Sequence, residues 1–89
     1  MTKTKRATIV QRAFIDNYND DYTLTIIDER EHSSTFIIVN EGEIIVEFSV
    51  SNTSLFDAKS HGNLLSYKGE LRMWYTFLKQ IDDDLSTEI

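Results

Sequence analysis

The chain reads as an α+β domain in which an N-terminal helix, a three-stranded antiparallel sheet, a short helix and a long C-terminal helix follow one another. The long helix is expected to pack on one face of the sheet. Three observations carry this. Two apolar-rich runs flank Asn40-Glu41-Gly42, the second run alternates apart from Ile45, and residues 64–85 repeat apolar side chains every three or four positions. Eighty-nine residues suit one domain with a single thin core, spanning 1–89.

Residues 5–18 fit two patterns. Val10, Ala13, Phe14 and Tyr18 suit a helix, whereas Ile9, Ala13 and Ile15 suit an edge strand; the helix is the reading adopted. Residues 22–27 alternate, with Tyr22, Leu24 and Ile26 on one side. Residues 34–39 and 43–51 form a hairpin whose Gly42 suits the left-handed third position of a three-residue loop. That loop pairs Val39 with Glu43, Ile38 with Ile44, Phe36 with Val46 and Ser34 with Phe48, so the even-numbered residues face the core. Ile37 and Ile45 then sit on the opposite face with Val39 and Ile27. Either the N-terminal segment or a loop covers them, or they form an apolar patch for a partner or a second copy.

Beyond Asn52, Thr53 or Ser54 followed by Asp57 resembles a capping box opening a short helix that His61-Gly62 would end. Asn63 can cap the long helix, whose stripe is Leu64, Tyr67, Leu71, Trp74, Tyr75, Leu78, Ile81 and Leu85. Trp74 and Tyr75 are adjacent and cannot both point fully inward, so one ring belongs at the rim.

Composition limits the chemistry. There is no cysteine, and the only histidines are His32 and His61, too few nitrogen or sulfur ligands for zinc or non-haem iron. Asp28, Glu29 and Glu31, or Asp20 and Asp21, lack the spacing and glycine of a calcium loop. No phosphate-cradling loop or nucleophile elbow is present, so a non-enzymatic protein without cofactor or metal is expected. No run approaches membrane-spanning length, the start lacks the apolar stretch of a signal peptide, and a cytoplasmic location is expected.

Charge is the one functional signal. The first twelve residues hold Lys3, Lys5, Arg6 and Arg12 and no acid, and read as a solvated basic N-terminus. The remaining 77 carry fifteen Asp and Glu against five Lys and Arg, a formal −10. Such a body repels polyanions, which argues against direct nucleic-acid binding, and draws cationic surfaces. The candidate partner-binding carboxylates are Asp20, Asp21, Asp28, Glu29, Glu31, Glu41, Glu43, Asp82, Asp83 and Asp84, spaced like phosphates for the groove of a basic nucleic-acid-binding protein. Asp82-Asp83-Asp84 falls where the helix dipole is already negative, so the triad belongs either to a frayed, solvated tail or to that binding surface. The rival site is the apolar set Ile27, Ile37, Val39 and Ile45, through which the chain would dimerise or dock.

The element order, the acidity, the run Asp20-Asp21-Tyr22-Thr23-Leu24-Thr25 and the Asn40-Glu41-Gly42 hairpin together resemble the phage-encoded type II-A anti-CRISPR proteins. That resemblance implies a phage or prophage inhibitor acting in the host cytosol. Its carboxylates would occupy the arginine-lined site where Cas9 reads its protospacer-adjacent motif.

Overall fold

Two apolar-rich runs, residues 34–39 and 43–51, pair across a tight turn and build the centre of a four-stranded antiparallel meander, ordered β1-β2-β3-β4. The structure, a computed structural model, describes residues 3–61 and 68–87. Its elements are α1 (Lys3–Asn17), β1 (Tyr22–Glu29), β2 (Ser33–Asn40), β3 (Glu43–Ser51), β4 (Leu55–Ser60) and α2 (Lys68–Thr87). Residues 5–17 are therefore helical, as the first of their two patterns predicts.

Both helices cover the same face of the sheet. Ile9, Val10 and Ala13 of α1 and Trp74, Phe77, Ile81 and Leu85 of α2 join Phe36, Ile38, Val46, Phe48 and Val50 in one buried cluster. Aromatic rings form its centre: Phe36 stacks on its cross-strand partner Phe48 at 5.3 Å, and Phe48 meets Phe77 edge-on at 5.2 Å. Such pairs contribute about 0.5–1.5 kcal/mol each beyond the area they bury. Trp74 points in and Tyr75 points out, 62% exposed, which settles which ring takes the rim. Asp16 and Asn17 meet Gln80, Tyr18 meets Phe77 and Tyr22 meets Glu70, so α2 runs antiparallel to the chain leaving α1.

Three expectations are corrected. Residues 55–60 form a fourth strand in place of the short helix begun by Thr53, Ser54 and Asp57. Leu55 pairs with Val50 and Lys59 with Glu47, so the exposed edge of β3 is satisfied by a strand, and Ser51 rather than a helix start binds the Ser54 backbone. The expected features at Gly62, Asn63, Leu64 and Tyr67 lie outside the described residues. Second, the hairpin loop is two residues long. Glu41 and Gly42 both have positive φ, 52° and 81°, as a type I′ turn requires, and Asn40 pairs with Glu43. The register slides by two, to Ile38 with Val46, Phe36 with Phe48 and Ser34 with Val50, which keeps the even face inward. A bulge at Ile45 absorbs the difference, turning Ile44 out and packing Ile45 against the core. Third, α1 does not cover Ile37 and Val39, because it packs on the other face.

The N-terminus is also not simply solvated, because Arg6 is fully buried. Its Nε donates to Ser34 Oγ at 3.2 Å, Nη1 to Asn52 Oδ1 at 2.7 Å and to the Glu31 carbonyl at 3.1 Å, and Nη2 to the Arg30 carbonyl at 2.6 Å. Every one of these acceptors is neutral. The planar fork of donors thus clips α1 to the β1–β2 turn, to β2 and to the β3–β4 turn.

Arg6→Met is expected to destabilise the protein by about 3 kcal/mol, since it strands several part-buried acceptors at once. Arg6→Lys is expected to recover little of that, because an ammonium cannot span four acceptors in a plane. Urea midpoints of the three proteins check both; a lysine variant at the parental midpoint would show that the fork geometry is irrelevant. At the hairpin, Glu41→Asn places a residue tolerant of the left-handed region at φ 52° and is expected to raise stability by about 0.5–1 kcal/mol in the same assay.

Candidate functional site

The ten candidate carboxylates divide into three groups, and the strand register sets where each lies. Tyr22 pairs with Asn40 at one end of the β1–β2 ladder, and Glu29 with Ser34 at the other. An eight-residue strand separates these ends by roughly 25 Å.

At the Tyr22 end, Asp20 and Asp21 of the α1–β1 turn come beside Glu41 and Glu43 of the β2–β3 turn. Glu70, in the first turn of α2, joins them by accepting the Tyr22 hydroxyl at 3.0 Å. Asp20, Asp21, Glu41 and Glu43 are all exposed, and none makes an ion pair among the described residues. Three separate elements thus converge on one acidic pole. The pole is also built rather than loose: Asn19 Oδ1 accepts the Asp21 N–H at 2.9 Å, and the Asn19 carbonyl accepts the Tyr22 N–H at 3.2 Å.

The Tyr22 hydroxyl reports this environment. Partial burial, the hydrogen bond to Glu70 and the charges of Glu70, Asp21 and Glu41 together push its pKa up from 10.0 to about 12. Beside it, the buried Tyr18 hydroxyl has no hydrogen-bond partner and is also held above its ordinary value, mainly by burial and then by Tyr22 and Glu70.

At the opposite end lie Asp28, Glu29 and Glu31. Asp28 is paired with Arg30 at 2.9 Å, and Glu31 stands 4.0 Å from His32. The third group, Asp82, Asp83 and Asp84, is helical and not a frayed tail, since α2 continues to Thr87. Asp82 is exposed, Asp83 binds Lys79 at 3.2 Å, and Asp84 is half-buried with Oδ2 shielded from water. Neighbours in sequence therefore differ in exposure and pairing. Glu70 was missed by the sequence reading; an acid in a helix's first turn is ordinary dipole chemistry and carries no functional signal.

The apolar candidates also separate. Ile37 and Val39 lie on the sheet face that the helices leave open, Ile27 is the extra residue of a bulge in β1, and Ile45 packs toward the core. Around Ile37 the open face carries Thr25 and Glu47 as its cross-strand neighbours, with Lys59 beyond Glu47, and Ile37 is only 9% exposed. Ile44 and Phe56 are the exposed apolar residues of this face.

Among the described residues, no three His, Asp or Glu side chains come together in a way that could hold a metal ion, and no helix is long and apolar enough to cross a membrane. No protein-family model, curated protein or solved structure matches the chain.

Raising pH through the Tyr22 transition is expected to weaken the fold. Below 10.0 the hydroxyl is protonated in both states. Between 10.0 and about 12 the unfolded chain loses the proton first, so stability falls as pH rises. Urea midpoints just below and well above pH 10 should show the fall, and Tyr22→Phe should make it shallower. An identical slope in the phenylalanine variant would detach Tyr22 from it.

Proposed function

We propose that this protein is a non-enzymatic acidic binding protein that occupies the nucleic-acid-binding groove of a basic partner, of which a Cas9-type nuclease is the candidate that the resemblance suggests. The observation that carries this reading is the pole of Asp20, Asp21, Glu41 and Glu43, exposed, without ion pairs among the described residues, and drawn from two turns with Glu70 at its rim. Turns tied to a sheet hold their carboxylates at fixed spacing, so little side-chain and loop ordering is left to complete on binding. Arginines and lysines arranged for phosphates meet carboxylates with the same charge and hydrogen-bonding chemistry. The chain's formal −6 accelerates encounter with such a surface and keeps the chain itself away from nucleic acid. Asp82–Asp84, partly paired and remote from the pole, contributes long-range field rather than contact.

The test is displacement of a protospacer-bearing duplex from a Cas9–guide complex, followed by fluorescence anisotropy. The parent is expected to release the duplex, at a rate that falls as added salt shortens the screening length below about 8 Å. The combined variant Asp20→Asn, Asp21→Asn, Glu41→Gln and Glu43→Gln is expected to associate about tenfold more slowly while unfolding at the parental urea midpoint. Failure of the parent to displace the duplex would overturn the Cas9-type partner. Equal rates for parent and variant would overturn the pole as the surface.

A further inference from the structure

The sheet has two edges, and they differ. β4 is six residues long, is broken in its middle by Asp57 at φ 53°, is bulged against β3 and carries Lys59. These are devices that stop another strand from adding to an edge. β1 has eight residues, with no lysine, proline, glycine or positive φ, and its single bulge, at Ile27, leaves Tyr22 to Ile26 in regular register.

The hydrogen-bond alternation shows what the outer side of β1 offers. Asn40 closes the hairpin turn against Glu43, so its backbone groups face β3, and Tyr22 opposite it gives its N–H to Asn19 instead. Antiparallel ladders alternate. Thr23 and Thr25 therefore bond to β2, while Leu24 and Ile26 turn their N–H and C=O groups away from the sheet. Beyond the bulge, the Arg30 N–H donates to the Ser33 carbonyl at 2.7 Å, in keeping with Glu29 facing outward as well.

Charge selects the occupant. Asp20 and Asp21 precede the strand and Glu29 and Glu31 close it, with Asp28 taken up by Arg30, so residues 20–31 carry a formal −4. A second copy would set this charge against itself. We propose that the outer edge of β1 accepts an extended segment of a protein partner as a fifth strand, bearing β-branched residues along its length and Lys or Arg at both ends. The backbone of Leu24 and Ile26 supplies the ladder, and the flanking carboxylates receive the cationic ends. This rests on the acidic-binding reading and deepens it, because it names the conformation in which the basic partner is taken.

The experiment titrates the full chain with two blocked peptides of equal charge. One is Lys-Lys-Val-Thr-Val-Thr-Val-Lys-Lys, and the other has its central valine replaced by proline. The strand-forming peptide is expected to bind about fivefold more tightly than its twin, the worth of roughly one backbone hydrogen bond. Amide exchange should show Leu24 and Ile26 unprotected in the free protein and protected in the complex, with Thr23 and Thr25 protected in both. Ile26→Pro removes an outward N–H without touching the β2 ladder and should abolish the preference. If that variant does not fold, the exchange pattern of the parent carries the test. Equal affinity for the two peptides, or no new protection at Leu24 and Ile26, overturns the edge and leaves the acidic pole standing. No binding of either peptide at low salt overturns both. Protection of those amides without peptide, growing with protein concentration, overturns the proposal in favour of self-pairing.

Discussion

The fold depends on a cation in an unusual place. Arg6 stands near the start of α1, where the helix dipole disfavours positive charge, and it is fully buried. What makes this tolerable is that the guanidinium is weakly hydrated and that two backbone carbonyls, a hydroxyl and a side-chain amide point their negative ends at it. The acceptors belong to residues 30, 31, 34 and 52, so one side chain joins the first helix to two turns and a strand. The chain has no cysteine, so no disulfide shares this task with the Arg6 hydrogen bonds. The same contact fixes the direction of α1, which in turn seats Ile9, Val10 and Ala13 on Phe36 and its neighbours.

None of this could be read from Arg6 itself. Its partners are dispersed along the chain and two are main-chain atoms, so no charge pattern or spacing announces them, and a basic N-terminal run is usually solvated. What was legible shows the converse. The alternation of Val46 to Ser51 and the three-and-four stripe through Trp74, Ile81 and Leu85 are periodic signals whose inward face was readable, whereas Ile44 turns out at the bulge and Phe77, outside that stripe, is fully buried. The hairpin's existence was legible too, but not its register, because a glutamate at positive φ is rare and the sequence points first to the longer loop that asks less of it. β4 was misread because Ser54 and Asp57 carry a helix-start pattern over a segment with little apolar alternation, and pairing with β3 outweighs it.

The candidate site divides in the same way. That the chain is acidic needs only counting; that Asp20, Asp21, Glu41 and Glu43 meet needs the pairing of Tyr22 with Asn40, a long-range fact. The turns that gather them are stabilised locally, by Asn19 and by the two positive-φ residues, while the strands between them are stabilised by the core. Charge and core therefore occupy different parts of the molecule: the carboxylates sit at the ends of the strands and the apolar residues at their middles. Self-repulsion among the acids is then eased by water and not by the low-dielectric interior.

The acidic end of α2 completes this argument. Three aspartates in the last turns of a helix oppose its own dipole, and among the described residues only Asp83 pairs with a cation, Lys79 one turn earlier. Burial holds these turns instead: Ile81 and Leu85, flanking the triad, are fully buried in the core. Asp16 and Asn17 at the end of α1 bind Gln80, which ties the approach to the acidic turns of α2 to the C-terminal end of α1. Formal charge overstates the surface left for a partner: Asp28, Glu47 and Asp83 have their own cations, whereas Asp20, Asp21, Glu41 and Glu43 have none among the described residues.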